Sequence, residues 1–202
     1  MEIIAHIKQK NFMLFPLNQF CDFSKEQNDI IRDIKADNAE ELKSWTLFAV
    51  KLPLLTFIFA AIINSLLSNY FIDEWSKFLN NGSLPIISFG IVSSALSYLV
   101  DKLSGNNDII FELRKRVTAV SLILLFVTSS LFILQSSSFV IIPSVVHVII
   151  LLVSVFFTIY SVQLGKLMFV LQSSFANAYI KKQERTVEDT QRGLSDEFGD
   201  VI

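Results

Sequence analysis

The chain has 202 residues, 52% of them hydrophobic and only 18% charged, with 19 phenylalanines and a formal net charge of −2. A soluble domain carries about 25% charge, so the shortfall points to several membrane spans, and the length leaves no room for a separate large soluble domain. The single cysteine, Cys21, excludes an internal disulfide and a zinc site built on thiolates within one chain.

The start, MEIIAHIKQK, has an acidic second residue and no long apolar core, so it does not read as a cleaved secretory signal. Residues 1–44 form an N-terminal tail. Within it, Asn11–Phe23 is aromatic but too short to span a bilayer and is interrupted by Pro16, which fits a packed tail or an interfacial segment. From Ser24 the pattern turns helical: Ser24 and Gln27 have capping-box spacing, and Ile30, Ile31, Ile34 and Leu42 make an apolar stripe.

Residues 45–163 hold four predicted spans, at about 45–70, 84–100, 117–134 and 139–163. Trp45 and Tyr70 bracket the first, where amphipathic rings favour the headgroup level. Lys51 lies just inside it and reads as a snorkelling cation. The second span is rich in small residues. Gly90 with Ser94, and Ser93 with Ser97, have the spacing that lets helix backbones approach. Gly90, Ser94, Ser97 and Asp101 also share one helical face. That face is the candidate helix-packing or pore-lining surface, with Asp101 as an acidic group at its mouth.

Val117–Gln163 contains no Asp, Glu, Lys or Arg. One helix of that length would exceed the ~30 Å hydrocarbon core about twofold. It therefore reads as a hairpin of two spans, turning at Ser136–Ser138. His147 is the one ionisable group inside it and the candidate for sensing or gating. A turn at Ser136–Ser138 predicts His147 at the depth of Thr128, Ser129 and Ser130, where a hydroxyl bond is the structural alternative.

Residues 164–202 form a C-terminal helix and tail. Leu167, Phe169, Val170, Phe175 and Tyr179 are the candidate partner-binding residues. Lysines and arginines concentrate in the two tails and in the middle loop, whose cluster Arg114-Lys115-Arg116 is read as a headgroup and orientation signal. The other two loops hold only Lys77, so both termini are expected in the cytoplasm. The basic segments also carry acidic residues, so no direct nucleic-acid binding is expected. No catalytic motif, metal-ligand spacing or cofactor loop is present in the sequence, and the chain reads as non-enzymatic.

In length, span order and tails the chain resembles the membrane subunit of the Kiwa anti-phage system. The resemblance implies a bacterial inner-membrane homo-oligomer that senses phage attack and works with a cytosolic DNA-binding partner. The sequence thus predicts an all-α integral membrane protein, a four-helix bundle with helical tails. It is expected to act as a homo-oligomeric sensor or scaffold for a cytosolic partner. The alternative is a homo-oligomeric channel or membrane-permeabilising effector, for which the serine face of the second span is the support.

Overall fold

A computed structural model of the protein describes residues 23–67, 81–100, 108–136 and 144–199, with Ser144 and 192–199 described by backbone alone. Most of Asn11–Phe23, together with Tyr70, Trp75, Asp101 and the Ser137–Pro143 connection, lies outside the described residues. The described residues contain helices and no strand.

Helix α1, Lys25–Asp37, opens with the capping box read from the sequence. Ser24 Oγ accepts from the Gln27 amide at 3.1 Å, and Gln27 Oε1 accepts from the Ser24 amide at 3.0 Å. Two amides that the helix start leaves without intrahelical partners are thereby satisfied. Its stripe Ile30, Ile31 and Ile34 is buried.

Helix α2, Ala39–Thr46, runs through a π turn at Leu47–Lys51 into α3, Leu52–Leu67. The Leu52 amide donates to Leu47 O, five residues back. Pro53 has no N–H, and its ring would press on the carbonyl four residues back in a regular α-helix. A wider turn just before it makes room.

Helices α4 (Ser83–Val100), α5 (Asp108–Ser136) and α6 (Ser144–Val170) pack on one another as a three-helix core. Four stretches, Ala39–Leu67, Ser83–Val100, Asp108–Ser136 and Val145–Val170, are long and apolar enough to cross a membrane. Helix α3 rests lightly on α4, with Ala61 and Ser65 its buried residues. Phe59, Leu66, Phe126 and Leu152 are 62–76% exposed, an apolar belt of the kind a bilayer covers.

Helix α5 begins at Asp108, so Arg114-Lys115-Arg116 lies inside a helix and not in a loop. After α6 a one-turn break at Leu171-Gln172 leads into α7, Ser173–Gly199. Helix α1 lies against α5, α6 and α7 at one end of the bundle, here called the tail end.

Two contacts set how α5 and α6 pair. Gln135 Nε2 donates to Ser154 Oγ at 3.0 Å, and Ser121 Oγ meets Met168 Sδ at 3.0 Å. The contacts are 14 residues apart on each helix, so both report one antiparallel register, with Thr128 opposite Ser161.

Candidate functional site

At the tail end, the aromatic rings of four helices converge. Trp45 stacks on Phe169 at 5.5 Å, Tyr98 meets Phe169 edge-on at 5.3 Å, and Phe175 meets it at 5.5 Å. Such pairs add about 0.5–1.5 kcal/mol each beyond their buried area. Leu167, Phe169 and Val170 are buried in the same cluster as Ile30, Ile31 and Ile34, with Phe175 and Tyr179 packed against it. The five residues proposed from the sequence to receive a partner therefore belong to, or pack against, this chain's own core. Their apolar stripe and that of α1 are two halves of one core.

Helix α4 turns its larger face inward: Ser88, Ile91, Val92, Ala95 and Leu99 are buried. The opposite face, with Gly90, Ser93, Ser94 and Ser97, is exposed, and a Cβ added at Gly90 would meet nothing within 4 Å. Ser94 and Ser97 donate to Ile91 O and Ser94 O in their own helix. Beside this face runs an open groove of about 470 Å³ between the π turn and α4, lined by Trp45, Phe48, Pro53, Ile87, Gly90, Ser94 and Tyr98 among others.

The basic cluster divides. Arg114 is 6% exposed, and its Nη2 donates to Leu99 O at 2.6 Å in the last turn of α4. A guanidinium there satisfies a helix-end carbonyl and sits at the negative end of the helix dipole. Arg114 thus faces protein rather than headgroups. Lys115 is exposed, and Arg116 pairs with Glu112 at 2.7 Å on the same helix.

Two lysines mark the seam between α1 and its neighbours. Lys182 on α7 bonds Asp37 at 2.8 Å, and that carboxylate holds the ammonium above its usual range. Lys35 is held below its usual range, first by burial and then by the positive charge of Lys166.

His147 falls elsewhere than the turn at Ser136–Ser138 predicts. Helix α5 ends at Ser136 and Ser154 pairs with Gln135, so His147, seven residues earlier, lies about 10 Å beyond the end of α5. The hydroxyls of Thr128, Ser129 and Ser130 bond carbonyls of their own helix, at Leu124, Leu125 and Phe126. The register read from Gln135–Ser154 and Ser121–Met168 is therefore not the one that a turn at Ser136–Ser138 predicts.

Sequence reading missed a polar seam inside the three-helix core. Ser88 Oγ donates to Thr158 Oγ1 at 2.9 Å, joining α4 to α6, and Gln135 reaches Ser154 from α5. Ser88, Ser121, Thr128, Ser154, Thr158 and Ser161 are all buried. The available signal was a seven-residue recurrence: Ser121, Thr128 and Gln135 on α5, and Ser154 and Ser161 on α6. Seven residues are nearly two helical turns, so each set holds one face.

Among the described residues no group of three or more His, Cys, Asp and Glu stands where it would hold a metal ion. Compared with known proteins, the chain matches no family model, no curated protein and no solved structure.

Proposed function

We propose that the chain is a multi-pass protein of the cell inner membrane, with both ends cytoplasmic, acting as a non-enzymatic scaffold that holds out a helical arm to a cytosolic protein. The observation that carries this is α7. The helix continues to Gly199, yet every residue from Lys181 to Gln191 is exposed. Bridging to another domain or partner is one use of a helix that is polar nearly all round and leaves its core. Val187 on this arm is 54% exposed.

The bilayer is supported by the apolar belt, and the orientation by the lysines and arginines of both tails, with exposed Lys115 and Arg116 near the start of α5. A homo-oligomer draws its support from the open Gly90–Ser94–Ser97 face, which lets a second helix approach closely. A place in anti-phage defence rests on the resemblance in span order and tails. Unchanged phage plating after deletion of the gene contradicts that part.

The test is affinity purification in mild detergent of the full chain and of a chain ending at Ile180. A soluble protein recovered in stoichiometric amount with the full chain, and lost with the shorter one, is the expected result. Equal recovery with both, or with neither, contradicts it. The same α4 face supports the channel reading, which liposomes containing the chain alone decide: ionic current or dye leakage favours the channel.

A further inference from the structure

Buried hydroxyls in these helices turn back onto their own backbone as a rule. Ser121 donates to Val117 O, Thr128 to Leu124 O, Ser154 to Ile150 O and Thr158 to Ser154 O. Ser161 departs from this. It is 0% exposed, and its Oγ has no hydrogen-bond partner among the described residues. The register fixed by Gln135–Ser154 and Ser121–Met168 places it opposite Thr128, also 0% exposed, midway between those two contacts. One step along the same seam, Gln135 Oε1 is a second buried polar atom without a partner among the described residues.

The great majority of buried polar groups have a hydrogen-bond partner, and inside a bilayer an unsatisfied one is costly. No group among the described residues supplies the missing partner, whereas water can.

We propose that the α5–α6 seam is an internal water-binding site, with a water held between Ser161 and Thr128. The Ser161 hydroxyl donates to the water. The water donates in turn to Thr128 Oγ1, whose own hydrogen is committed to Leu124 O and whose lone pairs remain. A buried water needs two to four such partners. The unsatisfied Gln135 Oε1 marks a second hydration point toward the far end of the seam. The hydrated part of the membrane domain is then inside one chain, between α5 and α6, and separate from the exposed Gly90–Ser94–Ser97 face.

The test is water-edited solid-state NMR on the full chain in lipid bilayers, which reads how fast magnetisation passes from water to each residue. Ser161 and Thr128 are expected to receive it as fast as exposed Thr186, while Val92 and Ala95, buried and apolar, receive it slowly. In Ser161→Ala, a change any helix tolerates, Thr128 is expected to lose its fast transfer. Transfer to wild-type Ser161 and Thr128 as slow as to Val92 overturns the proposal, with the Ser161 hydroxyl then turned onto its own helix. Fast transfer to Thr128 that survives Ser161→Ala overturns it as well, since Ser161 would not be holding the water.

Discussion

Gly165 lies so close beneath the indole of Trp45 that a Cβ there would come within 2.8 Å of Trp45 Cη2, and within 3.0 Å of Ile91 Cγ2. The contact joins three helices, because Trp45 is on α2, Ile91 on α4 and Gly165 on α6. The indole cannot simply swing away, since it is buried and stacked on Phe169. Gly165→Ala is therefore expected to destabilise the bundle by about 1–3 kcal/mol through overpacking. Gly90→Ala enters open space and is expected to leave stability unchanged or to raise it by up to about 1 kcal/mol through helix propensity. Unfolding in detergent followed by tryptophan fluorescence checks both. Equal effects of the two substitutions contradict the close packing at Gly165.

Arg114 and Lys115 are neighbours in sequence with unlike surroundings. Arg114→Met removes the donor that satisfies Leu99 O, and a lost charge-assisted bond of this kind is worth about 1.5–3 kcal/mol. Lys115→Ala changes an exposed side chain and is expected to stay within about 0.5 kcal/mol of the wild type. Denaturant midpoints of the two variants decide the matter. A large loss for Lys115→Ala with none for Arg114→Met would restore the reading of the whole cluster as a headgroup signal.

Lys35 and Lys182 give opposite pH dependences. Lys35 has a native pKa below its usual 10.5, so the unfolded chain binds more protons than the native one between that lowered value and 10.5. Its contribution to stability therefore rises with pH through that window, and its penalty is full at lower pH. Lys182 has a native pKa above 10.5, so its contribution is fully present below 10.5 and is lost as pH rises through the raised value. Lys35→Met is expected to raise the thermal midpoint at neutral pH and to remove the rise expected of the wild type on the approach to pH 10.5. A midpoint lowered at neutral pH contradicts the sign.

Much of this architecture was legible in the chain, for reasons that lie in particular residues. An uncharged run such as Val117–Gln163 has few uses outside a bilayer, and Ser24 with Gln27 encodes a local helix start that needs no tertiary help. What pairs with what was not legible. The stripe Ile30-Ile31-Ile34 and the stripe Leu167–Tyr179 each read as a face in want of a partner, and only their packing shows that they satisfy one another. The depth of His147 depended on the register of α5 and α6, which hydropathy does not report. Arg114 resembles its two basic neighbours until the end of α4 is placed beside it. The seam of Ser121, Thr128 and Ser161 was hidden because single hydroxyls scarcely alter the hydropathy of a span, although their spacing of seven was there to be counted.

The measurement that bears most directly on a four-span scaffold with both ends on one side is labelling of single cysteines by a membrane-impermeant maleimide. Native Cys21 reports the N-terminal tail. In a Cys21→Ser background, Lys181→Cys reports the start of the exposed arm and Asn81→Cys the connection before α4. In intact cells with the outer barrier opened, only Asn81→Cys is expected to react, and in inverted inner-membrane vesicles Cys21 and Lys181→Cys are expected to react while Asn81→Cys is protected. Labelling of Cys21 and Lys181→Cys from opposite sides, or of all three from both, would contradict the fold in the membrane proposed here.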